Sequence, residues 1–556
     1  MKKLLAVLCL STLALTAQDV PGLRETLDVS IANVDVFVTD RAGKRVYGLT
    51  RDDFEIYENG IRKEISNFSE FSERSAAARV GVEAEAPSEA APREKRTIVI
   101  FFERMQLPNF AVDSIVAELR NVLRRTVAAG DTVSVVIWSR HEGTKYLEFT
   151  DDAGAIDKAV GGIRGEALRA QLNNAEAVRE EAAALRQFDA DAAAAQANAN
   201  AARTPRDKGE SSSPPPARVQ AQGASRSDAS LQLPMLVAYG EMKVRVAAIN
   251  STIHAMAGID GKKVLLLATR RLGEVAGAEF AYGSGHPYIP YHLRQRFGTA
   301  QLLDEMIDAA NASGVTIYPI YPIGVDMHGD PFVEYLTWEN ESVAHVRIAQ
   351  RTGGVNASGA KDIAKLLPEI ASDITDYYSL AYRVTSSGKD TRRDVVVKTK
   401  NPELIVRARR QLVEKSDETR MRDRLRATLF RAEQDSQIAI QAKAGRRTRG
   451  RNATVPVQVR IPIGELTVLP QGRGKHSGKF SVYVAAAADL AELSDITQKT
   501  QPFELDEAKL EAARAGYFTY ELDVKVNDRA RYLAVGVVDE VGRTFGLTRI
   551  DLGDGR

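Results

Sequence analysis

Apolar and polar positions along this chain change period several times, and one stretch organises the rest. Thr97-Ile98-Val99-Ile100-Phe101-Phe102 runs apolar without a break, closes on Glu103, and leads into Arg104-Met105-Gln106-Leu107. Such a run predicts a strand covered on both faces, the centre of a parallel sheet packed between helices. Ligands of such sheets gather at the carboxyl ends of the strands, here Glu103 to Leu107. Val112, Ile115, Val116, Leu119, Val122, Leu123 and Val127 then recur at helical spacing, and Gly130-Asp131 ends that helix. Strands follow at Thr132 to Trp138, Tyr146 to Phe149, Lys263 to Thr269 and Val315 to Ile320. Helices are predicted from Asp151 to Val160, Met235 to Met256, Ala300 to Ala312, Val343 to Thr352 and Asp362 to Tyr377. Strands alternating with helices predict a doubly wound, Rossmann-like α/β sheet over 96–376.

On either side the period drops to two. Val29, Ile31, Val34, Val36 and Val38, then Phe54 to Tyr57 and Ile65 to Phe68, mark an N-terminal β segment over 25–73. These strands are too few to close a sandwich. Tyr378 to Val384, Asp394 to Thr399 and Leu404 to Ala408 are expected to complete it, giving one sandwich from 25–73 and 377–412 interrupted by the α/β domain. Val455 to Ile463, Gly478 to Ala486, Tyr517 to Val526 and Tyr532 to Asp539 predict a second sandwich over 453–556. The pieces between read as connectors: a linker at 74–95, an insertion at 165–232 that is helical where alanine dominates and disordered over 204–230, and a helical then basic linker at 413–452. The basic run Gly445 to Arg451 is taken as a solvated connector.

A length of 556 residues fits several domains with cores of their own. With 75 basic against 74 acidic residues, no overall field steers the chain to nucleic acid or an anionic membrane. Met1-Lys2-Lys3, the apolar stretch Leu4 to Leu15 and the small residues Thr16-Ala17 predict a secretory signal over 1–17, hence an exported product in the periplasm or outside the cell. The single cysteine, Cys9, falls inside that signal, so the mature chain is expected to lack thiol chemistry, disulfides and thiolate metal sites. No later run is long and apolar enough to span a bilayer.

Three stretches carry a family resemblance: Val36-Phe37-Val38-Thr39-Asp40, Gly48-Leu49-Thr50-Arg51-Asp52-Asp53-Phe54-Glu55 and Tyr378-Ser379-Leu380-Ala381-Tyr382. Together with Arg407-Ala408-Arg409-Arg410 they make residues 28 to 412 resemble the acidobacterial VWFA-related family of exported proteins. Within that span, 96–376 resembles a von Willebrand factor type A domain. The resemblance implies a first strand ending in Asp-x-Ser-x-Ser, whose carboxylate and hydroxyls hold a hard divalent ion that a ligand carboxylate completes. This chain places Glu103, Met105 and Leu107 on that pattern, and a thioether and an alkyl group offer such an ion nothing. The later strand reads Leu267-Ala268-Thr269-Arg270-Arg271, without a second carboxylate. Glu103, Met105, Leu107 and Thr269 are therefore expected to form a degenerate site that holds no metal or other cofactor, with Glu103 paired to Arg270 or Arg271.

At the same edge, the loop Gly273 to Gly298 carries Phe280, Tyr282, His286, Tyr288, Tyr291, His292 and Phe297. It should lie over the vacated metal position. Two readings stand side by side: the rings form an interface for a partner, or they fold down to fill the gap. His286 and His292 lack an evident third ligand. The sequence holds no Gly-x-Ser-x-Gly elbow, no His-Glu-x-x-His helix and no phosphate loop. Asp52-Asp53 reads as a turn or cap, Gly353-Gly354 as a helix stop, and Ser139 has no base near it in sequence. The expectation is an exported, non-enzymatic protein-binding or scaffold protein with a protein partner. The alternatives are metal-dependent adhesion through an atypical site and, lower, an envelope enzyme with a site assembled across domains.

Overall fold

The computed structural model describes residues 29–72, 95–104, 109–127, 130–140, 143–167, 218–284, 286–320, 331–357, 363–385, 387–431, 436–448, 453–490, 492–527 and 529–553. The expected signal, nearly all of the 74–95 linker, Met105, Leu107 and most of the 165–232 insertion lie outside them.

Four strands come first: β1 (Val29–Thr39), β2 (Phe54–Glu58), β3 (Ile61–Lys63) and β4 (Ile65–Phe71). The central unit then runs β5 (Arg96–Glu103), α1 (Asn109–Thr126), β6 (Thr132–Ser139), β7 (Gly143–Thr150), α2 (153–167), α3 (Arg218–Ala257) and β8 (Lys262–Ala268). It continues through α4 (Ala278–Gly283), α5 (Tyr291–Phe297), α6 (Ala300–Ser313), β9 (Val315–Pro319), α7 (Pro331–Thr352) and α8 (Ile363–Thr375). Its sheet has the order β7-β6-β5-β8-β9, with β5 parallel to β6 and β8, β8 parallel to β9, and β7 antiparallel at the edge. All eight residues of β5 are buried, because alternate side chains enter two different cores. Val99 and Phe101 pack with α3 and α6; Ile98, Ile100 and Phe102 pack with α1 and α8.

β10 (Tyr377–Thr385), β11 (Thr391–Thr399), β12 (Ile405–Ala408) and β13 (Gln411–Glu414) return the chain to the first four strands. The sheets are β12-β1-β10-β4 and β13-β11-β2-β3, each mixing strands from before and after the central unit, over one shared core of Val34, Val36, Phe54, Ile56, Leu380 and Val395. The Gly-Leu-Thr-Arg-Asp-Asp-Phe stretch forms the entry to β2. Asp53 accepts hydrogen bonds from the Thr50 amide (2.7 Å) and hydroxyl (2.8 Å), which hold its pKa down, and Phe54 drops into the core.

α9 (Asp417–Thr428) follows, then β14 (Gln441–Ala444), β15 (Thr454–Pro462), β16 (Leu469–Gly472), β17 (Lys475–Asp489), β18 (Glu492–Leu493), β19 (Thr497–Asp506), β20 (Tyr517–Lys525), β21 (Tyr532–Asp539) and β22 (Phe545–Asp551). The sheets β14-β15-β20 and β16-β17-β21-β22, with β18 and β19 also on β17, enclose a core of alternating valines, isoleucines and phenylalanines.

Three expectations need correction. The stretch 413–452 does more than connect: β14 pairs with β15, while Met421, Leu425, Leu429 and Phe430 are buried in a core shared with β17, β21 and α3. The apolar stripe that marked a helix there was wide enough to serve two neighbours. Within the basic run, Arg447 donates to the Ala530 carbonyl rather than being left to solvent. Disorder over 204–230 gives way to helix from Arg218, in a stretch whose alanines, glutamines and arginines favour helix and which leads into Leu231 and Met235, both buried. Finally, Gly353-Gly354 does more than stop α7. Gly353 has φ of 86°, and a Cβ on Gly354 would lie 2.1 Å from the Ile317 carbonyl oxygen, so the pair lets the helix end press on β9.

Candidate functional site

Parallel strands β5 and β8 end together, placing Glu103 beside Thr269. Glu103 is buried, and both of its oxygens are engaged. The Arg245 guanidinium, reaching down from α3, donates Nε–H to Oε1 at 2.8 Å, with its second nitrogen 2.8 Å from the same oxygen. Thr269 donates its hydroxyl to Oε2, and the Arg270 amide approaches that oxygen at 3.3 Å. Burial works against the Arg245 charge; Glu103, with Glu241 and Glu341 beyond it, more than restores it and holds the pKa above its ordinary value. The guanidinium that meets Glu103 is that of Arg245, 142 positions away in the chain. Arg270 contributes its backbone, while Arg271 turns the chain at φ 57° and offers its amide to Glu341 at 3.1 Å.

This geometry answers whether the site suits a divalent ion. Such an ion needs several oxygens free to ligate. Here one carboxylate is already saturated by a guanidinium and a hydroxyl, and among the described residues no group of three His, Cys, Asp or Glu converges. The donor set does not fit the ion. Thr269 is joined to Glu103 as the spacing suggested; Met105 and Leu107 lie outside the described residues.

Arg245 was missed in the sequence although a signal was present. With Met242, Val246 and Ile249 it completes the i, i+3, i+4, i+7 stripe of α3, all four buried. A cation on the buried face of a helix requires a buried partner, and the carboxylate at the end of the central strand is that partner.

The aromatic loop leaves the carboxyl end of β8. It packs sideways against the first half of α3, where Leu231 and Met235 share a core with Val275, Ala278, Ala281, Ile289, Leu293 and Phe297. Its base is tied twice. The Ala276 amide donates to the Phe297 carbonyl and the Thr299 amide to that of Glu274, both at 3.0 Å. The Asn340 side chain, on α7, accepts from the Val275 amide and donates to its carbonyl, again at 3.0 Å each. A Cβ on Gly273 would lie 2.1 Å from the Asn340 amide nitrogen, so only glycine permits this approach.

The seven ring-bearing residues therefore divide. Phe297 is buried and Tyr282 half-buried, both packed in a core with Leu231 and Met235 of α3. Tyr288 and Tyr291 are 81% and 76% exposed, and Phe280 and His292 also face outward, with His286 intermediate. Phe332 and Tyr335 at the start of α7 and Leu233, Leu236 and Val237 on α3 are exposed as well.

No protein-family model matches the chain, and no curated protein does. Among solved structures it is similar to the pilus adhesin SpaC from Lactobacillus rhamnosus GG in an open conformation, at 9% identity over 91% of this chain with a TM-score of 0.24; the chain spans 60% of that one. A likeness of that size carries neither fold nor function across. The chain itself is a mixed α/β protein of several sheets, and among the described residues no helix is long and apolar enough to cross a membrane.

Proposed function

We propose that this chain is an exported, non-enzymatic binding or scaffold protein in which a von Willebrand factor A-like sheet engages a protein partner without a metal ion. One observation carries the reading: the carboxylate at the end of the central strand is neutralised by the chain's own Arg245. A tethered guanidinium does the electrostatic work of a bound cation and is always present, so the edge is permanently in one charge state. It leaves no coordination position for a ligand carboxylate. Binding then falls to the neighbouring surface, where exposed tyrosines stand on a loop pinned at its base. Against catalysis stands the local chemistry: the buried acid at the end of the central strand is already engaged by a guanidinium and a hydroxyl.

The test is capture of partners from envelope extract by the full chain, with manganese, with magnesium and with a chelator, beside a Tyr288→Ser/Tyr291→Ser variant. Capture and thermal unfolding should be indifferent to the ions, and capture should be lost in the variant. Capture that required a divalent ion would overturn the reading.

A further inference from the structure

The outward face of the aromatic loop has a composition that narrows the partner. Ile289, Leu293 and Phe297 anchor it in the core, so Tyr288 and Tyr291 are fixed by their neighbours while their rings remain in water. The Tyr291 hydroxyl also accepts a hydrogen bond from Gln295 at 2.9 Å, one turn further along α5. Three residues after Tyr291, on the same side of the helix, comes Arg294; Arg296 lies on the other flank of the buried Leu293 and Phe297, and both arginines are exposed. α5 contains no acidic residue. Among the described residues neither arginine has a carboxylate within ion-pair distance: Arg296 donates to Gln232 at 2.9 Å, and of the nearby acids Glu339 shares the surroundings of the Tyr282 hydroxyl with Arg294 while the others are paired. Glu274 is paired with Arg347, Glu241 with Arg140, and Glu279 approaches Arg271.

Rigid tyrosines beside unpaired arginines are the residue types in which binding energy concentrates. Fixing them beforehand removes an ordering cost that a flexible loop would meet on association. An arginine fork selects for carboxylate by paired, parallel hydrogen bonds. We infer that the exposed surface of α5, with Tyr288, Tyr291 and Arg294 together and Arg296 on its other flank, receives an acidic segment of a partner protein, its carboxylates on the guanidiniums and its apolar atoms on the rings. This rests on the reading of that edge as a docking surface. Two cations are too few for a nucleic acid held through many phosphates.

The experiment uses the full chain and a fluorescein-labelled peptide in which aspartates and glutamates flank a Leu-Phe pair, followed by anisotropy. A counterpart with lysine at every acidic position and an N-acetylglucosamine hexamer are the comparison probes. The acidic peptide should bind, the lysine peptide should not, and added salt should weaken binding. Arg294→Glu/Arg296→Glu and Tyr288→Ser/Tyr291→Ser should each lower affinity by about tenfold or more, with the thermal midpoint unchanged. Lys525→Glu, on β20, should bind as the parent does. Equal binding of the two peptides, or acidic-peptide binding indifferent to the arginines, would overturn the inference. Binding of the hexamer alone, lost with the tyrosines, would overturn the acidic partner and leave the docking edge standing. If envelope capture also survived loss of the tyrosines, both readings would fall together.

Discussion

Two buried charge sites at opposite ends of the central sheet are built in different ways. At the carboxyl end one carboxylate, Glu103, meets one guanidinium, Arg245, and both belong to the α/β unit. At the amino end, Asp373 of α8 is fully buried and receives Arg45 and Arg407, both from the sandwich that the unit interrupts. Around that carboxylate the Phe37 ring lies under Arg407 at 4.4 Å, Arg45 at 5.4 Å and the Lys262 ammonium at 5.0 Å. Lys262 also donates to the Asp373 carbonyl at 2.8 Å and lies 3.3 Å from the centre of the Tyr377 ring. The Asp373 site thus ties the α/β unit to the sandwich, whereas Arg96 and Asp131 at the same end pair within the unit. The Glu103 site satisfies its charge within the α/β unit.

The sharpest way to break that comparison is Asp373→Ala. It strands two guanidiniums at the junction, and loss of one partner from a buried ion pair costs about 3–5 kcal/mol. Urea unfolding of the variant should fall by that amount and should separate into a sandwich step and an α/β step where the parent shows one. Arg245→Met is expected to cost a comparable or slightly smaller amount, because Thr269 and the Arg270 amide still serve the abandoned carboxylate. Here the partner substitution matters. Glu103→Leu/Arg245→Met should recover to within about 1 kcal/mol of the parent, since apolar residues of similar volume replace buried pairs at little loss. Recovery at the carboxyl end, without recovery in the matching Asp373→Leu/Arg407→Met pair, would confirm that one site is self-contained and the other shared. Recovery at both would erase the distinction.

What the sequence made legible follows the same division. The strand from Thr97 to Glu103 is legible because a strand buried on both faces is apolar from Ile98 to Phe102 without a break. Strand pairing of residues 29–71 with 377–414 is legible because each half shows one-sided alternation without enough strands to cover it. Partners in space are not. Arg245 lies 142 positions from Glu103, and only its place in an apolar stripe hinted at the pair. Arg270 and Arg271 are the nearer choice in sequence; Arg270 meets Glu103 through its amide, and Arg271 turns the chain at φ 57°. Likewise a tally of aromatics from Phe280 to Phe297 does not reveal which rings point inward; that depends on Leu231 and Met235 at the far end of a helix.

The smallest expected effect concerns Glu341, the second buried acid at the carboxyl end. Burial raises its pKa above the ordinary carboxylate value, with Arg270 and the Arg271 amide only partly opposing this. The folded state therefore holds its proton to higher pH than the unfolded chain does. Its contribution to stability is complete below the unfolded pKa and is lost as pH rises through the folded one. Asp53 behaves in the opposite sense, because the Thr50 hydrogen bonds lower its pKa and its contribution is lost as pH falls. Glu341→Gln keeps the oxygen that accepts from the Arg271 amide and removes the titration. The variant should match the parent at acid pH and be more stable near neutrality, so that its curve of unfolding free energy against pH no longer declines through the window just above the ordinary carboxylate range. A variant less stable than the parent at neutral pH would mean that the Glu341 charge is needed by Arg270 and Arg271, and the carboxyl end would then be a network of mutual dependence like the amino end.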